Sequence, residues 1–188
     1  MRCCFSAEYR ARIVMAGLIL LAHATFATAQ DDEEEQPYLP GLVAKYTGEA
    51  EQSCARLDES IAFDWVADAP DPRVPAGKFR AHWQGRLLSQ AGGEYRLHVY
   101  VQGKFAVRLR GKEVLAGAAA EPRWFVSLPL ELAYDHHSLE VTFEKTAAGA
   151  RIALFWSGPQ FQLEPISPRQ LFHDRGQTPD AARGFMTS

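Results

Sequence analysis

Glu94-Tyr95-Arg96-Leu97-His98-Val99-Tyr100-Val101-Gln102-Gly103-Lys104-Phe105-Ala106-Val107-Arg108-Leu109-Arg110-Gly111-Lys112-Glu113-Val114-Leu115 carries the strongest structural signal in the chain. Tyr95, Leu97, Val99 and Val101 alternate with Arg96, His98 and Tyr100. After Gln102-Gly103-Lys104 the alternation resumes as Phe105, Val107 and Leu109 against Ala106, Arg108 and Arg110. A period of two sends successive side chains to opposite faces, so the two runs predict paired strands with one apolar face. Gly103 and then Gly111-Lys112 read as turns, because glycine reaches positive φ without steric cost. The turn at Gln102-Gly103-Lys104 is therefore the first place to look for a ligand contact.

The same period extends on both sides. Gly41 to Tyr46, Ile61 to Trp65 and Phe79 to Gln84 precede the stretch as strands. Trp124 to Leu132 reads as an edge-type strand, since Pro129 cannot donate to a ladder, and Leu139 to Phe143 and Ile152 to Trp156 complete the set. Residues between the first two strands read as a loop, and Ala116 to Glu121 as a small, flexible stretch. Ala67 to Pro75 contains three prolines and reads as a surface connection. Ser167 to Phe172 reads as one helical turn that packs Leu171 and Phe172 on the body. Short strands punctuated every 8 to 12 residues or so predict an all-β sandwich or barrel.

The 188 residues fit one domain, and the 47% apolar and 23% charged composition is that of an ordinary globular chain. A net charge of −3 with scattered basic residues offers no footprint for nucleic acid. Arg2, Arg10 and Arg12 ahead of the apolar run Ile13 to Ala22, with Ala27-Thr28-Ala29 before Gln30, read as a secretory signal peptide over 1–29, cut after Ala29. The run is too short to span a bilayer comfortably, so no membrane span is expected in the mature chain, and the protein is expected to be secreted or periplasmic. Residues 30–40, with the acidic block Asp31 to Glu35, read as a disordered spacer, and 174–188 as a linker or flexible tail. Loss of the leader removes Cys3 and Cys4, so Cys54 is either a buried inert thiol or an unpaired one, and no internal disulfide forms.

The ordered set Gly41-Leu42-Val43-Ala44-Lys45-Tyr46, Ile61-Ala62-Phe63-Asp64-Trp65, Phe79-Arg80-Ala81-His82-Trp83-Gln84-Gly85, Gly93-Glu94-Tyr95-Arg96-Leu97, Arg110-Gly111-Lys112 and Ala153-Leu154-Phe155-Trp156 resembles the PA-fourteen domain family, covering residues 41 to 172. The resemblance implies an antiparallel two-sheet β-sandwich over 41–173, exported and often carbohydrate-binding. Calcium-dependent members place two consecutive aspartates where this chain has Val101-Gln102, and an aspartate where it has Arg110. Calcium prefers carboxylate oxygens, so the calcium site is not carried over.

The candidate carbohydrate contacts are Gln102 and Lys104, flanking the turn, and Trp124 as a stacking platform. The alternatives are a solvated hairpin tip and a core tryptophan. Asp64, Asp68 and Asp71 either hold an ion or cap turns. Asp135-His136-His137-Ser138 has the letters of a hydrolase triad, but neighbours on a strand point to opposite faces. His82, His98 and His173 lack metal-ligand spacing. No catalytic residue, metal or cofactor is expected. The first functional expectation is a non-catalytic, calcium-independent module for glycans or cell-surface polysaccharide. The alternative is a docking or structural module of a larger exported protein, for example ahead of a c-type cytochrome domain. A hydrolase would need a convergent site that the sequence does not display.

Overall fold

The computed structural model describes residues 37–146 and 148–179. The signal peptide and the acidic block fall outside these residues. Twelve strands follow in chain order among the described residues: β1 Tyr38–Pro40, β2 Leu42–Gly48, β3 Ser53–Asp58, β4 Ala62–Asp64, β5 Phe79–Ser89, β6 Gly93–Leu109, β7 Lys112–Val126, β8 Leu130–Leu132, β9 Asp135–Glu144, β10 Arg151–Gly158, β11 Phe161–Pro165 and β12 Leu171–Asp174. All their pairings are antiparallel. The fold is an all-β sandwich, as the alternating pattern implies.

One layer runs β3, β2, β5, β9, then the second half of β6 and the first half of β7. The other has the end of β7 and β8 beside the first half of β6, then β10, flanked by β4 and β11. Trp65, Phe79 and Phe143 meet between the layers, with ring centroids 5.0 to 5.9 Å apart. Trp83 stacks on Phe63 at 5.7 Å and lies edge-on to Tyr46 at 5.9 Å. Burying a large apolar side chain stabilises by about 1.5–3 kcal/mol, and Tyr46, Trp83, Val99, Val101, Val107 and Ile152 are completely enclosed. Cys54, in this core, is a free thiol, so the core among the described residues forms without a disulfide.

The expected turn at Gln102-Gly103-Lys104 is not a turn. β6 is one 17-residue strand that passes through it and changes layers there: Gln102 pairs with Arg151 of β10, whereas Lys104 pairs with Glu144 of β9. Gly103 has φ +139°, and a Cβ there would lie 2.5 Å from Phe143 and 2.8 Å from the Glu144 carbonyl oxygen. Only glycine permits both the angle and the close approach. Alternation stays in phase across this corner, with Val101, Gly103 and Phe105 all facing inward. The hairpin turn is at Arg110-Gly111, both at positive φ, where Leu109 pairs with Lys112.

Other boundaries move as well. Ala116 to Glu121, read as a flexible stretch, belongs to β7, and Pro122 sits at the register shift where β7 carries extra residues against β6, a place that tolerates its missing N–H. β3 lies in the expected loop between the first two strands. The ordered body begins before Gly41, because Tyr38 pairs with Asp174 and Pro40 with Phe172. It also extends past His173. Asp174 accepts from Arg86 at 2.8 Å, and buried Thr178 meets the enclosed His173 ring at 3.0 Å. Ser167 caps a single 3-10 turn, Pro168–Gln170, beside buried Leu171.

Candidate functional site

The outward phase of the second layer carries an aromatic surface. Trp124 on β7 faces Tyr100 on β6, with centroids 5.1 Å apart, and reaches diagonally to Phe155 on β10 at 5.0 Å. Trp124 is 45% exposed and Val126, two residues on, 49%. Trp124 is therefore a surface residue and not part of the core. Its two ring contacts hold it in place, so a flat ligand meets a preset plane rather than a mobile side chain.

Polar groups border this plane. Gln102 faces Arg151 across β6 and β10, and its amide donates to the Ala120 carbonyl at 2.9 Å. Arg151 pairs with Asp64 and lies 5.8 Å from the Tyr100 ring centroid. The Asp64 hydrogen bond pushes the Arg151 guanidinium pKa further up. On the other side, His98 Nε2 and Ser157 Oγ are 3.0 Å apart. Burial, and then the Arg96 charge, push the His98 imidazole pKa down. Apolar side chains with a few fixed donors and acceptors around them are the groups from which small-molecule sites are commonly built.

Of the three candidates, Gln102 and Trp124 come together here and Lys104 does not. The layer change at Gly103 sends Lys104 to the outer face of the opposite layer, beside Glu144. Tyr100 and Phe155 are the residues that sequence reasoning missed. Each is an aromatic residue in the outward phase of an alternating strand, between Val99 and Val101 and between Leu154 and Trp156. That misplaced phase is the signal that would have found them.

The remaining candidates separate. Val101 is fully buried, so the first residue of the Val101-Gln102 pair points into the core. Asp71 is buried and accepts from Arg73 at 2.8 Å and Arg56 at 3.2 Å, while Asp64 is held by Arg151. The hydrogen bonds from Arg73 hold the Asp71 carboxyl pKa well below the usual carboxylate range. Among the described residues no three His, Cys, Asp or Glu side chains converge on one point.

Asp135 turns to its neighbour's backbone, accepting from the His136 amide at 2.7 Å. His137 goes inward to buried Ser89 at 2.9 Å, and His136 lies tilted against Tyr38 and edge-on to Phe172. The four letters form no triad. Cys54 is buried, and burial pushes its thiol pKa up, away from the reactive thiolate.

The comparisons with known proteins fit this architecture. No family model matches the chain. A segment of anti-sigma-I factor RsgI3 from Acetivibrio thermocellus is 28% identical over 142 residues, covering 71% of this chain and 22% of that protein. The chain thus spans about a fifth of this curated relative. Among solved structures, an anti-sigma factor domain-containing protein matches with TM-score 0.66 and 25% identity over 72% of this chain and 48% of that one. A PA14 sugar-binding domain from an RTX adhesin matches with TM-score 0.61 and 12% identity, over 72% of this chain and 99% of its own length. The fold is that of a PA14-type antiparallel sandwich. No helix among the described residues is long and apolar enough to cross a membrane.

Proposed function

We propose that the chain is an exported, non-catalytic glycan-binding module that acts without calcium. Its signal peptide spans residues 1–29, and the binding surface is the exposed Trp124 ring, flanked by the tilted Tyr100 and edge-on Phe155 rings, with Gln102 at its border. The observation that carries the reading is Trp124 lying exposed yet wedged against two further rings. The sugar-binding description of the RTX adhesin domain supports the ligand class. Buried Val101, where calcium-dependent relatives are expected to carry an acid, supports independence from the metal. The test is a glycan array on the mature chain, with and without chelator. Binding that survives the chelator is expected, and absence of binding in both conditions overturns the reading.

The likeness to a segment of an anti-sigma-I factor supports a second reading, a docking module of a longer exported protein with a protein partner. Under that reading the array stays blank, while substitutions on the Trp124 plane disturb association with the partner. N-terminal sequencing of protein recovered outside the cell tests export in either case. A start at Gln30 is the expected result.

A further inference from the structure

The outer face of the first layer holds a second recess, of ≈ 370 Å³. Two cross-strand rows build it. Lys45, His82, Thr142 and Ala106 lie side by side on β2, β5, β9 and β6, and Thr47, Arg80, Glu144 and Lys104 form the adjacent row. Ala106 and Thr142 are short, so the floor drops between long charged side chains. Three strand intervals separate the Lys45 strand from the Lys104 strand, about 14 Å. Arg80 is held by Glu51 at 3.0 Å. The side chains of Lys45 and Lys104 have no hydrogen bond or ion pair among the described residues. The unpaired charge at the recess is therefore two ammonium groups against the one Glu144 carboxylate, with the Thr47 and Thr142 hydroxyls and the His82 ring between them.

We infer that this recess binds an anionic oligosaccharide lying across the strands, with acidic groups on Lys45 and Lys104 and sugar hydroxyls against Thr142, His82 and Glu144. The two ammonium groups supply attraction for negative charge. Glu144 accepts hydroxyl protons and disfavours a ligand that offers only negative charge. The recess and the Trp124 plane lie on outer faces of different layers and share no residue, so each stands or falls alone. The negative groups can be carboxylates or sulfates, since an ammonium group attracts both.

Titration calorimetry on the full chain tests this with alginate oligomers, dextran sulfate, neutral dextran and poly-glutamate as probes. Binding of alginate oligomers, of dextran sulfate or of both is expected, weakening as salt rises. The responding arm identifies carboxylate or sulfate. Replacing Lys45 and Lys104 by glutamine together is expected to weaken it about tenfold, each exposed ion pair contributing up to about fivefold. Both lysines are exposed, so the variant keeps its fold, checked by its unfolding midpoint. Trp124→Ala leaves this binding unchanged. No binding of either anionic saccharide, equal binding of neutral dextran or poly-glutamate, or indifference to the lysine substitutions overturns the inference.

Discussion

Trp83 donates its indole N–H to a carboxylate oxygen of Asp58 at 2.8 Å inside the core. The Tyr46 hydroxyl donates to the same oxygen at 2.5 Å, and Arg56 Nε to the other at 2.7 Å. One acid thus satisfies the polar tips of two enclosed aromatic residues, and burial together with Asp58 pushes the Tyr46 hydroxyl pKa far up. Removing the acid leaves buried donors without acceptors. Asp58→Ala is expected to cost about 3 kcal/mol in urea unfolding, and Asp58→Asn less, because an amide oxygen still accepts.

Acid should loosen the loop that carries Asp71. Its folded pKa lies below its unfolded value because Arg73 hydrogen-bonds the charged form. The resulting stability is complete above the unfolded pKa, near 4, and is lost as pH falls from there toward the folded value. Thermal unfolding followed from pH 7 to pH 3 should show a falling midpoint, with a flatter acid limb in Asp71→Asn.

Gly103→Ala tests the layer change of β6. The added methyl group must occupy space taken by Phe143 and the Glu144 carbonyl, at a backbone angle unfavourable to alanine. A loss of at least about 2 kcal/mol is expected in chemical denaturation. An unchanged midpoint would show that the corner yields easily.

Trp124→Ala should separate binding from stability. Loss of two surface ring contacts costs no more than about 2 kcal/mol, whereas a central aromatic anchor typically accounts for roughly thirtyfold in affinity. Affinity for an array-positive glycan and the unfolding midpoint, measured on one preparation, distinguish these effects.

What the sequence disclosed follows from what periodicity encodes. Alternation located β5, β6, β9 and β10 because it reports which side of a strand faces the core. It was blind at Gly103, where the inward phase continues through a change of layer. The aromatic surface was half legible. Trp124 stood out by its type, but Tyr100 and Phe155 are 55 positions apart, and only the register of β6 against β10 brings them under the same ring. Gly103 reads as a turn by its type, and that reading puts Lys104 at a tip rather than on the outer face beside Glu144. The small residues of β7 read as flexible, although alanines on an edge face need no large neighbour to remain extended.

The pairing of Tyr38 with Asp174 has a mechanical meaning. The first and last strands of the body, β1 and β12, lie one strand spacing apart, about 5 Å, so a longer polypeptide that enters at β1 and leaves after β12 gains little reach from crossing between them. The sandwich hangs from such a chain as a pendant, and tension along the chain pulls on the Tyr38 side of β1 and the Asp174 side of β12. A rigid spacer would be built with its ends far apart. This one has its first and last strands side by side.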